Sequence, residues 1–180
     1  QAAARIYPAD WRGHNNAGCI LLSQNKVNDA SAAFEKADAA KSSASTKNNL
    51  GVVAGLKGDW AKSEAFYKEA GSLSEAVYNL GALYIKKGDY PNAVASYGSA
   101  NTFNAALAKL LNGDKEGALR TIDGGADAST AMGYYLKAVI SARMGNQAAI
   151  TENLSKAFSK DPSLKNAAKE DKEYVKFKVD

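Results

Sequence analysis

The feature that most restricts how this chain can fold is a punctuation mark that returns five times between stretches of helical patterning. GDW at Gly58, GDY at Gly88, GDK at Gly113 and GNQ at Gly145 are joined by QNKV at Asn25, giving steps of 33, 30, 25 and 32 residues. In EAVYNLGALYIKKGDYPNAVASY, the apolar positions Val77, Leu80, Gly81, Tyr84 and Ile85 precede the mark at helical spacing, and Tyr90, Ala93, Val94 and Tyr97 follow it. Gly88 can take the left-handed conformation that ends one helix. Asp89 can accept the free N–H groups of the next, and Pro91 is tolerated in a first turn. The pair therefore reads as the turn of a helical hairpin.

Small and large slots recur around each turn. Gly18, Gly51, Gly81, Ala106 and Ala138 lie seven residues before it. Ala30, Ser63, Ala93, Ala118 and Ile150 follow it, and then Phe34, Tyr67, Tyr97, Ile122 and Leu154. Small residues allow two helix backbones to approach, and large ones fill the gaps between neighbouring pairs. Each hairpin keeps an apolar face that only the next hairpin can cover, so the pattern predicts an all-α stack of helix pairs.

This pattern resembles the tetratricopeptide repeat (TPR) family, whose 34-residue helix-turn-helix unit carries the same small and aromatic slots and often ends in Pro. NLG at 79–81 with GDY at 88–90 carries the likeness most strongly, and it extends over about residues 10–162. The resemblance implies one TPR-like α-α superhelix across residues 1–180. It would comprise five repeats over 10–162 and a capping helix over 163–180, where Leu164, Ala168, Tyr174 and Phe177 stand among charges. Pro8 and Pro162 occupy the slot that closes a repeat, so residues 1–9 read as the tail of a truncated preceding repeat, or else as a short helical N-cap. Where the step falls to 25 residues, Phe103 to Leu111 must form a short helix entered by a tight turn, and regular superhelical geometry should lapse over 98–126.

The totals exclude several function classes. Twenty-three Lys and Arg against 19 Asp and Glu leave a net charge of +4 with no basic block, so no nucleic-acid footprint appears. Apolar runs such as AGCILL and LGVVAGL fall well short of the ~20 residues of a membrane helix, so direct membrane insertion is not expected. Cys19 is the only cysteine and His14 the only histidine, leaving no metal site and no cofactor motif. The two are five residues apart, about 140° around a helix, which separates their side chains. GDKEG and DGGADAS lack the ending of a phosphate loop. The chain is expected not to be an enzyme.

In TPR arrays the first helix of each pair lines the concave surface. Two residues before the small slot come Asn16, Asn49, Asn79 and Asn104, a row resembling the asparagine ladder of the O-GlcNAc transferase TPR region, which holds peptide backbones. The alternative is that each carboxamide bonds neighbouring helices or water. Tyr78, Phe103 and Tyr135, with Ile85, Leu107 and Val139, face the same groove as apolar anchors, or pack on one another where the fourth repeat is compressed. The slots of a chaperone-tail clamp hold Val52, Ala82, Asn15 and Glu75, which disfavours that ligand. The resemblance thus implies a non-catalytic interaction module whose concave groove binds a peptide or protein segment. The alternative is an assembly module packing against its own longer chain or another copy. AALAKLLNGDKEGAL resembles TPR segments of bacterial cell-envelope proteins, which would suit the periplasm, with the cytoplasm as the other location.

Overall fold

The computed structural model describes residues 10–177, and every regular element among them is helical. In order these are α1 (Trp11–Ser23), α2 (Val27–Ala40), α3 (Ala44–Leu56), α4 (Trp60–Glu69), α5 (Ser74–Lys87), α6 (Tyr90–Tyr97), α7 (Phe103–Leu111), α8 (Lys115–Asp123), α9 (Ala131–Met144), α10 (Gln147–Lys160) and α11 (Leu164–Glu170). Short 3-10 turns follow at Ala126–Ser129 and Lys172–Tyr174. The expected tail of a preceding repeat at 1–9 lies outside the described residues.

Every punctuation mark is a helix junction with one backbone solution. Gly58, Gly88, Gly113 and Gly145 have φ of 80°, 74°, 91° and 75°, and Asn25 reaches 57°. This is the left-handed region, which Gly enters freely and Asn tolerates better than most residues. The next helix is capped by Asp59, Asp89, Asp114 or Asn146, whose side chains accept from the backbone N–H of Lys62, Asn92, Gly117 and Ala149. Lys26, in the same place of the first turn, makes no side-chain cap.

The chain divides into two compact units, Gln1–Lys87 and Gly88–Asp180. In the first, α1 pairs with α2 and α3 with α4, and α5 follows on α4. A Cβ placed on Gly18 would lie 2.4 Å from the Phe34 ring, and one on Gly51 would lie 2.5 Å from the Tyr67 ring. Each large slot therefore seats on the small slot of its own hairpin. Phe34 also packs with Ala30, Leu50 and Val53, and so reaches the next repeat. Ser63, fully buried, donates to the Gly51 carbonyl at 2.8 Å. Lys47 on α3 binds Asp38 of α2 and Glu69 of α4, each at 2.9 Å, linking two second helices.

In the second unit, α7 and α8 share a core of Ala106, Leu110, Ala118 and Ile122 with Leu136 and Ile140 of α9. The short helix begins at Phe103, as the compressed spacing requires. Thr102 caps it through Ala105 N–H, and the Asp127 carboxylate accepts from Phe103 N–H at 2.8 Å. Beyond α10, α11 spans only Leu164–Glu170. Asp171 stops it, because its carboxylate takes the Glu173 N–H at 3.0 Å and turns the backbone into 3-10 geometry. Tyr174 then enters the core beside Ala138, Ala142 and Phe158.

Candidate functional site

The first helices of the first unit carry the asparagines, and their side chains are bonded across repeats. Asn49 Nδ2 on α3 donates to Asn15 Oδ1 on α1 at 2.9 Å, and Asn79 Nδ2 on α5 donates to Asn48 Oδ1 on α3 at 3.0 Å. Asn49 Nδ2 also lies 3.7 Å from Cys19 Sγ, and Asn48 Nδ2 lies 3.4 Å from Asn49 Oδ1. One chemical joint thus recurs at both junctions: the ladder asparagine of one repeat donates to the residue just before the ladder slot of the previous one. Asn15 and Asn48 are buried, with 8% and 9% exposure. Asn16 stands on the exposed side of α1. Sequence reasoning missed Asn15 and Asn48 as members of the row, although the doublets in HNNAG and KNNLG were the available signal.

Each carboxamide offers two donors and two acceptor positions. The lateral bonds consume part of that capacity and fix the rotamers, which reduces the entropy lost when an external backbone is held. On the helices that carry the row, Tyr78 is 44% and Ile20 53% exposed, while Ile85 is half-buried. Ile20 lies one turn beyond Asn16, so the two share a helix face. Elsewhere in this unit a cleft of about 420 Å³ has Leu50, Val53 and Phe66 in its wall and Lys57 and Asp59 on its rim.

The electrostatic knot of the unit is Glu64 on α4. It accepts from Lys68 at 2.8 Å, from the Tyr84 hydroxyl at 3.0 Å and from Lys87. These donors, Lys68 foremost and then Lys87, hold its carboxyl down at about 2. Cys19 is exposed, yet desolvation against the helix face pushes its thiol up, away from the nucleophilic thiolate. Among the described residues no group of His, Cys, Asp and Glu is placed to hold a metal ion, and no helix is long and apolar enough to cross a membrane.

In the second unit the expected anchors are engaged by the chain itself. Asn104 is half-buried on α7. Phe103 and Leu107 pack with Val139 onto the α7–α9 core. The Tyr135 hydroxyl donates to Asp171 Oδ2 at 2.8 Å, and its ring meets Tyr174 edge-on at 5.9 Å and 82°. Arg143 Nε lies 3.1 Å from both Glu173 carboxylate oxygens, and its Nη1 lies 3.4 Å from the Leu110 carbonyl. Burial first, then the Asp171 carboxylate, pushes the Tyr135 hydroxyl up; burial and then Tyr135 do the same for Tyr174. Of the candidate groove residues, Asn16, Asn49, Asn79 and Tyr78 lie on helices of the first unit, and Asn104, Phe103 and Tyr135 on helices of the second. Tyr135 sits under residues 171–174.

The tetratricopeptide repeat family model matches residues 74–107. Comparison of the sequence with curated proteins finds no match. Among solved structures, the chain is similar to YrrB, a TPR protein with an unusual peptide-binding site, at TM-score 0.65 and 21% identity over 93% of this chain and 96% of that one. PilW, a widely conserved type IV pilus biogenesis factor, gives TM-score 0.68 and 20% identity over 96% of this chain and 84% of that one. MamA gives 0.67 and 15% over 85% of this chain and 97% of that one.

Proposed function

We propose that this all-α chain belongs to the tetratricopeptide-repeat family and is a non-catalytic interaction module that takes an extended peptide or protein segment along the first helices of its first unit. The observation carrying this reading is the asparagine row bonded through Asn15, Asn49, Asn48 and Asn79, a line of fixed amides suited to backbone N–H and C=O groups. Magnitude says what the row needs beside it. A few neutral hydrogen bonds at about 1 kcal/mol each only match the low end of the ~4–15 kcal/mol cost of association. Exposed Tyr78 and Ile20 supply the apolar area that the amides lack. The peptide-binding site of YrrB supports the class of ligand. Nucleic acid is disfavoured, since Arg12 is held by Asp10 and Arg143 by Glu173.

The test is selection of binders from a displayed library of random peptides on the full chain, followed by titration of the selected peptides against Asn49→Ala/Asn79→Ala. The double variant should bind at least ~10-fold more weakly, the effect of about 1.4 kcal/mol. Unchanged affinity removes the row from the site. A second reading, an assembly module packing against its own longer chain or another copy, is supported by the way the first-helix face of α9 already takes residues 171–174. Sedimentation separates the two, because an assembly module self-associates as its concentration rises.

A further inference from the structure

We infer that the α9 face bearing Tyr135 and Arg143 is a docking site for a short segment of the pattern carboxylate, any residue, carboxylate, tyrosine, and that Asp171, Lys172, Glu173 and Tyr174 occupy it as a built-in ligand. This rests on contacts within the second unit and stands independently of the asparagine row.

Three different chemistries converge within four residues. Asp171 takes the Tyr135 hydroxyl at 2.8 Å. Glu173 takes the Arg143 guanidinium from two nitrogens, Nε to Oε2 at 3.1 Å and Nη2 to Oε1 at 2.5 Å, the bidentate match that discriminates a carboxylate from other acceptors. Tyr174 is 3% exposed and lies edge-on to Tyr135. Lys172 points to solvent, so the second position is unread. Val175 is 79% exposed, and Phe177 returns to the same core as a further aromatic contact.

The segment is held as a ligand is held, by side chains. It follows a helix of only seven residues, and its single turn is set by its own Asp171. The receiving side is braced without it, since Arg143 also contacts the Leu110 carbonyl and Lys115 Nζ donates to the Arg143 carbonyl at 3.0 Å. A tethered ligand acts at an effective concentration of order mM, so a partner bearing the same pattern must displace it to bind.

The probe is a fluorescein-labelled peptide of sequence DKEYVKF, read by anisotropy against the full chain. Wild type should bind it weakly, because its own segment competes. Glu173→Lys/Tyr174→Ala, which frees the face, should bind it at least ~10-fold tighter, and adding Arg143→Glu to that background should remove binding. Hydrogen exchange supplies the second measurement. Arg143→Glu alone should speed exchange at residues 172–177 while α9 and α10 stay protected. The inference is overturned if the freed variant binds no tighter than wild type. It is equally overturned if either variant loses protection across α9 and α10, which would make the segment essential to the fold of that hairpin. A freed variant that dimerises in sedimentation without taking the peptide would assign the face to a second copy, again against the inference.

Discussion

Gly18 and Gly51 are where one hydrogen decides the packing of a hairpin. Alanine is favoured over glycine inside a helix by roughly 0.5–1 kcal/mol, so either position should welcome it on propensity alone. The added methyl would lie 2.4 Å or 2.5 Å from an aromatic ring, and Phe34 is fully buried, with nowhere to move. Overpacking of this kind costs about 1–3 kcal/mol. Gly18→Ala should therefore lower stability by about 1 kcal/mol in urea denaturation, and Phe34→Leu in the same chain should recover part of that loss. A Gly18→Ala chain more stable than wild type would contradict the close approach. The two slots were legible because both stand at fixed offsets from a turn, but spacing assigned the large one to the gap between hairpins, whereas it also seats on the small slot of its own. The asparagine joints were legible only by half. Successive helix residues point about 100° apart, and which member of each Asn-Asn doublet meets the next repeat depends on how that repeat is rotated, a quantity no spacing records.

At the scale of the helix, start and stop positions were readable wherever the chain spells them locally. The left-handed residue and the Asp or Asn cap write out the second, third, fourth and fifth turns, and the missing room after Tyr97 dictated that α7 begin at Phe103. The end of α11 was not readable. Leu164, Ala168, Tyr174 and Phe177 suit a continuous amphipathic helix, but Asp171 captures a backbone N–H and breaks it. For the same reason spacing left open whether Tyr135 faces a groove or packs within the chain, because the course of the chain after Glu170 is not a matter of periodicity. Between helices, Glu64 ties α4 to α5 through Tyr84 and Lys87, and the sign of its pH effect follows. Its carboxyl sits at about 2 against an ordinary 4.5, so the ionised form is the stabilising one. That contribution is complete above about pH 4.5 and disappears as pH falls toward 2. Glu64→Gln should melt about 2–4 °C below wild type at pH 7, on the scale of roughly 1 kcal/mol for a partly solvated pair. The gap should close by pH 2. A gap independent of pH would mean that the residue acts through packing instead of charge.

Taken as a whole, the chain distributes its core instead of pooling it. Ala30, Phe34, Leu50 and Val53 form one cluster and Tyr67, Ala70, Ala76 and Leu83 another in the first unit; the second unit has its own clusters around Ile122 and Leu154. Stability in such arrays is close to a sum of nearest-neighbour terms, so damage should stay local. Phe34→Ala, at a cost of about 3–5 kcal/mol, should raise amide exchange across α1 to α3 and leave α9 and α10 near wild-type rates. Equal acceleration everywhere would show one cooperative body. The asparagine joints bear on how such a chain can change length. Asn15 with Asn49 and Asn48 with Asn79 are the same coupling at equivalent positions, 34 and 31 residues apart. A gene segment copied or excised between those points would bring matching ends together, and the resulting protein would gain or lose a whole module with its seam already complementary.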